Sequence, residues 1–112
     1  MKELSVIQKT HDLIKWYIPI LEKLPRTYKF TLGEKISNHL YELLEGLIEA
    51  KYAHRKLDIL KKLNIKLDII RHQTQLLLEF ELISLKRYKY VNQLINEVGT
   101  ELGGWIKQQN KR

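Results

Sequence analysis

The sequence predicts an all-α protein folded as an antiparallel up-down-up-down four-helix bundle. Apolar residues recur at alternating spacings of three and four through most of the 112 residues, the period of packed helices. Only two prolines and five glycines interrupt that pattern. No stretch shows the strict alternation of a half-buried strand, and there is no internal repeat or low-complexity segment. A chain of this length holds one domain with an ordinary core. Four helices of about 20–28 residues reach roughly 30–40 Å each. Short links between them make sequential neighbours antiparallel.

The first helix is expected over residues 4–24, with Leu4, Ile7, His11, Ile14, Ile18 and Leu21 as its apolar stripe. On that stripe His11 reads as a hydrogen-bonded core histidine. Pro19 should bend the helix, because it removes one backbone donor and crowds the preceding turn. Pro25 ends it, since the residue before a proline is pushed out of helical geometry. Residues 26–30 read as a loop. Thr31-Leu32-Gly33-Glu34 has the capping-box pattern, with Thr31 as N-cap, and opens a second helix over 31–52. Its stripe is Ile36, Leu40, Leu43, Leu47 and Ala50. A weakly marked link near Tyr52 to Arg55 leads to a third helix over 55–82, with Leu60, Leu63, Leu67, Ile70, Thr74 and Leu77 facing inward. Ser84 is the expected N-cap of a fourth helix over 85–108. That helix repeats at Tyr88, Val91, Ile95, Val98, Leu102 and Trp105, and the polar, basic tail Lys107 to Arg112 should fray.

The first helix carries more apolar surface than one stripe uses. Beside the stripe stand Leu13, Trp16, Tyr17, Ile20 and Leu24. Trp16 and Tyr17 either lie half-buried at the bundle edge or belong to a face that contacts another subunit. The second reading, with Leu13, Trp16, Tyr17 and Ile20 as the subunit interface, is preferred, because an exposed patch of that size invites aggregation.

No catalytic, metal or cofactor site is suggested. There is no cysteine for a thiolate site or a disulfide. The four histidines follow Gln8, Ile36, Lys51 and Ile69 at three residues' distance, so the Glu-x-x-His pairs of di-iron bundles are missing. Gly99, Gly103 and Gly104 lie in a helical period and not between a strand and a helix, and no phosphate-binding loop is present. Each helical glycine costs about 1 kcal/mol against alanine, so close approach of a second helix at Gly99-x-x-x-Gly103 is the expected compensation. No secretory leader follows Met1 and no run approaches the ~20 apolar residues of a membrane span. The expected location is the cytoplasm.

The net charge of +7 is unevenly spread. Residues 84–112 hold six basic and two acidic side chains, whereas 31–53 hold two basic and four acidic, so the positive field is concentrated late in the chain. Two clusters stand out: Arg55, Lys56, Lys61, Lys62 and Lys66 on the third helix, and Lys86-Arg87-Tyr88-Lys89-Tyr90 on the fourth. Lysine and arginine neutralise phosphates and tyrosine rings stack on bases. The same residues also describe a solvated helix face with Tyr88 in the core. Lys61, Lys62, Lys66, Arg71, Lys86, Arg87 and Lys89 are the candidate contacts to nucleic acid. Arg71 sits at the edge of the core stripe, where an ion pair with Asp68, Glu42, Glu45 or Glu49 is the alternative role.

Leu67-Asp68-Ile69-Ile70-Arg71 and the run from Glu97 through Gly103-Gly104-Trp105-Ile106-Lys107 resemble the C-terminal half of Avd, the accessory variability determinant of diversity-generating retroelements. Tyr17-Ile18-Pro19-Ile20, Leu24-Pro25-Arg26 and Gly33-Glu34-Lys35-Ile36 extend the resemblance over most of the chain. A wider group of four-helix proteins encoded in intervening sequences of bacterial 23S ribosomal RNA shares the pattern. The resemblance implies a ring-like homo-pentamer that binds the retroelement reverse transcriptase, and RNA and DNA through phosphate contacts, while the transcriptase does the chemistry; it makes the same seven basic residues candidate contacts to that polymerase. Gln75 stands where relatives carry a second arginine after Arg71. The alternative function is that of an intervening-sequence-type bundle, an RNA-associated or structural oligomer without a polymerase partner.

Overall fold

The computed structural model describes residues 2–111, with residues 2 and 3 described by backbone alone. Four long helices, α1 (Lys2–Glu22), α2 (Glu34–Tyr52), α3 (Leu57–Glu79) and α4 (Leu85–Asn110), account for most of them, and no described residue is in a strand. Both α1 and α3 pack against α2 and α4. The result is a four-cornered bundle of 46 × 23 × 19 Å with its core along the long axis.

The inward stripes of α2, α3 and α4 fall at the spacing-predicted positions. Ile36, Leu40, Leu43, Leu47 and Ala50 are buried on α2, and Leu60, Leu63, Leu67, Ile70, Thr74 and Leu77 on α3. Val91, Ile95, Val98, Leu102 and Trp105 are buried on α4, with Tyr88 half-buried. Gly46 shows how closely α2 and α3 approach, because a Cβ there would collide with the Leu63 side chain. Glycine inside a helix costs about 1 kcal/mol, and burying a leucine returns roughly 1.5–3 kcal/mol, so the exchange is favourable.

The inward phase of α1 differs from the expectation. Its buried residues are Val6, Thr10, Leu13, Tyr17 and Leu21, followed by Leu24 beyond its end. His11 is exposed, and Leu4 is 51% exposed. Two stripes of α1 have helical spacing, and the inward one is disguised by two polar atoms. Both are satisfied inside: Thr10 Oγ1 donates to the Val6 carbonyl at 2.8 Å, and the Tyr17 hydroxyl lies 2.7 Å from Thr74 Oγ1. Leu13 and Tyr17 are therefore core residues and not a subunit interface. Trp16 and Ile20 are half-buried.

Helix bounds differ where caps act. Pro19 lies inside α1 on an exposed position, and the helix runs past it to Glu22. Residues 26–30 are not a loop: Arg26–Tyr28 form a helical turn and Lys29–Gly33 a π-turn that leads straight into α2. Pro25 starts this segment, its carbonyl accepting from the Tyr28 and Lys29 N–H groups at 2.9 and 2.8 Å. Proline suits a helix start because its missing N–H has no partner there to lose. Thr31 is no cap; its hydroxyl donates back to the Thr27 carbonyl at 2.7 Å. Ser84 does cap α4, its Oγ accepting from the Arg87 N–H at 3.1 Å. The tail is helical through Asn110, held by the buried Trp105 and half-buried Ile106; Arg112 lies outside the described residues.

α3 stops at Glu79, short of the expected 82, in a Schellman turn. The Leu82 N–H donates to the Leu77 carbonyl at 2.8 Å and the Glu81 N–H to the Leu78 carbonyl at 2.9 Å. This places Glu81 at φ 59°, a left-handed conformation that favours glycine. Glu81→Gly is expected to stabilise the protein by about 0.5–1 kcal/mol in urea unfolding, the relief of Cβ strain exceeding the entropy lost by glycine. An unchanged midpoint would mean that this turn carries no strain.

Candidate nucleic-acid interface

The basic residues proposed from sequence do not form one surface. Arg71 Nε donates to Asn96 Oδ1 at 3.4 Å, which sets those two residues level on antiparallel α3 and α4. Counting from that level at 1.5 Å per residue puts Lys61 and Lys86 roughly 30 Å apart along the bundle. Lys61, Lys62 and Lys66 thus sit toward one end, and Lys86, Arg87 and Lys89 at the other.

Within the α3 group the side chains have different fates. Lys66 Nζ meets Glu42 Oε1 of α2 at 2.5 Å, and this bond and charge hold the Glu42 carboxyl below its usual range. Lys56 is spent on the end of α2, donating to the carbonyls of Ala50, Lys51 and Ala53 at 2.8, 2.8 and 2.9 Å. A cation there also complements the negative end of the helix dipole. Lys61 and Lys62 are exposed.

Arg71 finds partners within the bundle. Its guanidinium lies 3.7 Å from Asp68 on the same helix, with no link to Glu42, Glu45 or Glu49. The group covers Gly99 of α4, where an added Cβ would come within 2.6 Å of Arg71 Nη2 and 3.4 Å of Leu67 Cδ2. Gly99 thus admits an arginine from α3, as a close-approach glycine should. A Cβ added at Gly103 would meet nothing within 4 Å, so that glycine serves no such purpose.

The α4 group is different. Lys86, Arg87 and Lys89 are exposed, and among the described residues none of the ion pairs involves them. They surround a groove of about 580 Å³ lined also by Trp16, Ser84, Tyr90 and Gln93. Trp16 of α1 meets Tyr90 of α4 there, ring centroids 5.1 Å apart and planes tilted by 53°. Tyr90 keeps 46% of its surface exposed. The sequence places Tyr90 within the basic cluster, whereas Trp16 is expected on a face that contacts another subunit. The pairing was hidden because the phase of α1 decides which neighbour Trp16 meets. A second groove of about 520 Å³ continues along α4, lined by Lys9, Lys89, Asn92, Gln93, Asn96, Glu97, Thr100 and Glu101. Its two carboxylates end the positive tract.

Among the described residues, no three histidines or carboxylates gather as a metal site, and no helix is long and apolar enough to cross a membrane.

Comparison with known proteins agrees with this architecture. A crystal structure of a protein of unknown function from the S23 ribosomal protein family of Bacteroides thetaiotaomicron VPI-5482 superposes with a TM-score of 0.87. It is 20% identical, covering 96% of this chain and 99% of its own, a likeness of fold alone. No curated protein matches the sequence. The model of the bAvd-like family matches residues 4–109, nearly the whole of the bundle described above. The chain is therefore a member of the bAvd-like family.

Proposed function

We propose that this protein is a non-catalytic accessory factor of a diversity-generating retroelement, which binds the element's reverse transcriptase and nucleic acid in the cytoplasm to support mutagenic reverse transcription. The observation that carries this reading is the bAvd-like family match over residues 4–109. The unpaired cations of α4 supply a phosphate-binding surface consistent with it. Co-purification with the retroelement's reverse transcriptase is the test. Retention of the transcriptase through a sizing column is expected; loss of it, with RNA binding retained, favours the intervening-sequence-type alternative.

The proposal includes a homo-pentamer, and exposed apolar residues other than Leu13, Trp16, Tyr17 and Ile20 support a self-contact. Glu42, His39 and Gly46 face α3 through Lys66, Gln73 and Leu63. Helical periodicity then turns Tyr41, Leu44 and Ile48 toward the α1 side of α2. Tyr41, Ile48 and Tyr52 are 44%, 41% and 76% exposed. Because Trp16 faces α4, Ile7, Ile14 and Ile18 lie on the opposite flank of α1, beside them. The seam between α1 and α2 therefore offers a broad apolar face for a neighbouring subunit. Ile48→Lys with Tyr52→Lys is expected to reduce the assembly to monomers by light scattering while helicity is retained. An unchanged oligomer would remove this seam from the interface.

A further inference from the structure

We propose that the groove between α1 and the start of α4 is a binding site for unpaired nucleotides of a single strand, with Tyr90 as the stacking platform and Lys86, Arg87 and Lys89 as the phosphate contacts. The inference rests on the proposed nucleic-acid binding and specifies which form of nucleic acid is held, and where. Three features meet here. The groove of about 580 Å³ lies within the range of small-ligand sites, which suits a nucleotide. Tyr90 is braced by Trp16 at 5.1 Å with the ring planes tilted by 53°, and it keeps 46% of its surface exposed. Trp16 is in turn supported by the buried Tyr17 at 6.1 Å, so the platform is anchored to the core.

Charge then sets the occupant. Lys86 precedes Tyr90 by four residues and Lys89 precedes Gln93 by four, so cations and platform share neighbouring positions on the helix surface. No carboxylate lines the groove, and Glu97 and Glu101 begin only in the next one along α4. A polyanion is attracted to the first groove, whereas in the second Glu97 and Glu101 balance Lys9 and Lys89. An aromatic face beside unpaired cations matches alternating bases and phosphates, the recurring chemistry of single-strand binding. A duplex keeps its bases stacked inside and gains nothing from Tyr90.

The test compares an oligouridylate, a duplex with the same number of phosphates, and heparin, using the full chain. Trp105 is buried and only 2% exposed, so ligand quenching of tryptophan emission reports Trp16. Oligouridylate is expected to quench it and heparin is not. Tyr90→Leu keeps an apolar contact for Trp16 but removes the π face. It should weaken oligouridylate binding by about tenfold or more while duplex and heparin affinities stay within about twofold, and Tyr90→Phe should restore the parent value. Equal loss for oligouridylate and duplex, or no loss at all, would overturn the assignment, as would dissociation of the oligomer by Tyr90→Leu or equal competition by an acidic peptide. Should the unmodified chain bind none of the three polyanions, the nucleic-acid reading itself falls; should it bind all three without Tyr90 mattering, only this site does.

Discussion

Tyr17→Ala is expected to remove about 4 kcal/mol or more of folding stability, a large share of the 5–15 kcal/mol typical of a domain. The ring is fully buried on α1, and its hydroxyl reaches Thr74 of α3, diagonally through the core, at 2.7 Å. Truncation to alanine leaves a cavity and also strips the buried Thr74 hydroxyl of its partner. The two effects separate by substitution. Tyr17→Phe keeps the ring and should lose about 1–3 kcal/mol, the cost of one unpaired buried hydroxyl. Tyr17→Phe with Thr74→Val removes both polar groups and should recover most of that loss. Burial also raises the Tyr17 pKa well above the usual tyrosine range, the hydrogen bond with Thr74 opposing only part of the shift. A raised folded-state pKa means that the unfolded chain releases its proton first as pH climbs. The contribution is complete below pH ~10 and declines above it, so the parent should be more alkali-sensitive than Tyr17→Phe relative to each protein's stability at neutral pH. Urea unfolding at neutral pH and above pH ~10 measures all of this. A double variant as unstable as Tyr17→Phe would show that the hydroxyl pair is not coupled.

Lys86→Glu, Arg87→Glu and Lys89→Glu together are expected to weaken RNA binding by about a hundredfold at low salt, through loss of three attractions and gain of three repulsions. Each side chain is exposed and lacks a carboxylate partner among the described residues, so each reversal should change stability by less than about 0.5 kcal/mol. The comparison variant is Lys61→Glu with Lys62→Glu, on exposed positions toward the opposite end of the bundle. It should weaken binding far less. Lys66 is a poor choice for such a test, because its reversal would set two carboxylates against each other at Glu42. Filter-binding titrations of both variants decide between the two ends. A larger loss at α3 would move the interface there.

Most helical faces were legible because apolar periodicity reports burial directly. On α2 and α3 every stripe residue is buried. α1 defeated the same reasoning, since its true stripe includes Thr10 and Tyr17 while the competing stripe, interrupted only by His11, carries Ile7, Ile14 and Ile18, which pack half-buried along the α2 seam. Periodicity cannot rank two apolar stripes on one helix when the neighbours are unknown. The candidate site was legible in its charges and not in its pairing. Nothing in the order of residues shows that Lys66 finds Glu42, that Lys56 closes the end of α2, or that Trp16 meets Tyr90. Such partners are set by the relative rotation of packed helices. The start of the segment leading into α2 was misplaced for a related reason: Thr31 has a capping sequence, but Pro25 had already begun the helical segment.

On the proposed function, phosphate contacts by the start of α4 hold nucleic acid. The most direct test is the salt dependence of single-stranded RNA binding, measured on the parent and on the Lys86, Arg87 and Lys89 reversal. Each neutralised phosphate on a single strand contributes about −0.7 to the slope of log K against log salt. The parent should show a slope of about −2 or steeper, and the reversal should lose about two units of it. A parent affinity that stays flat with salt, or an unchanged slope in the reversal, would show that the cations at the start of α4 do not hold the phosphates.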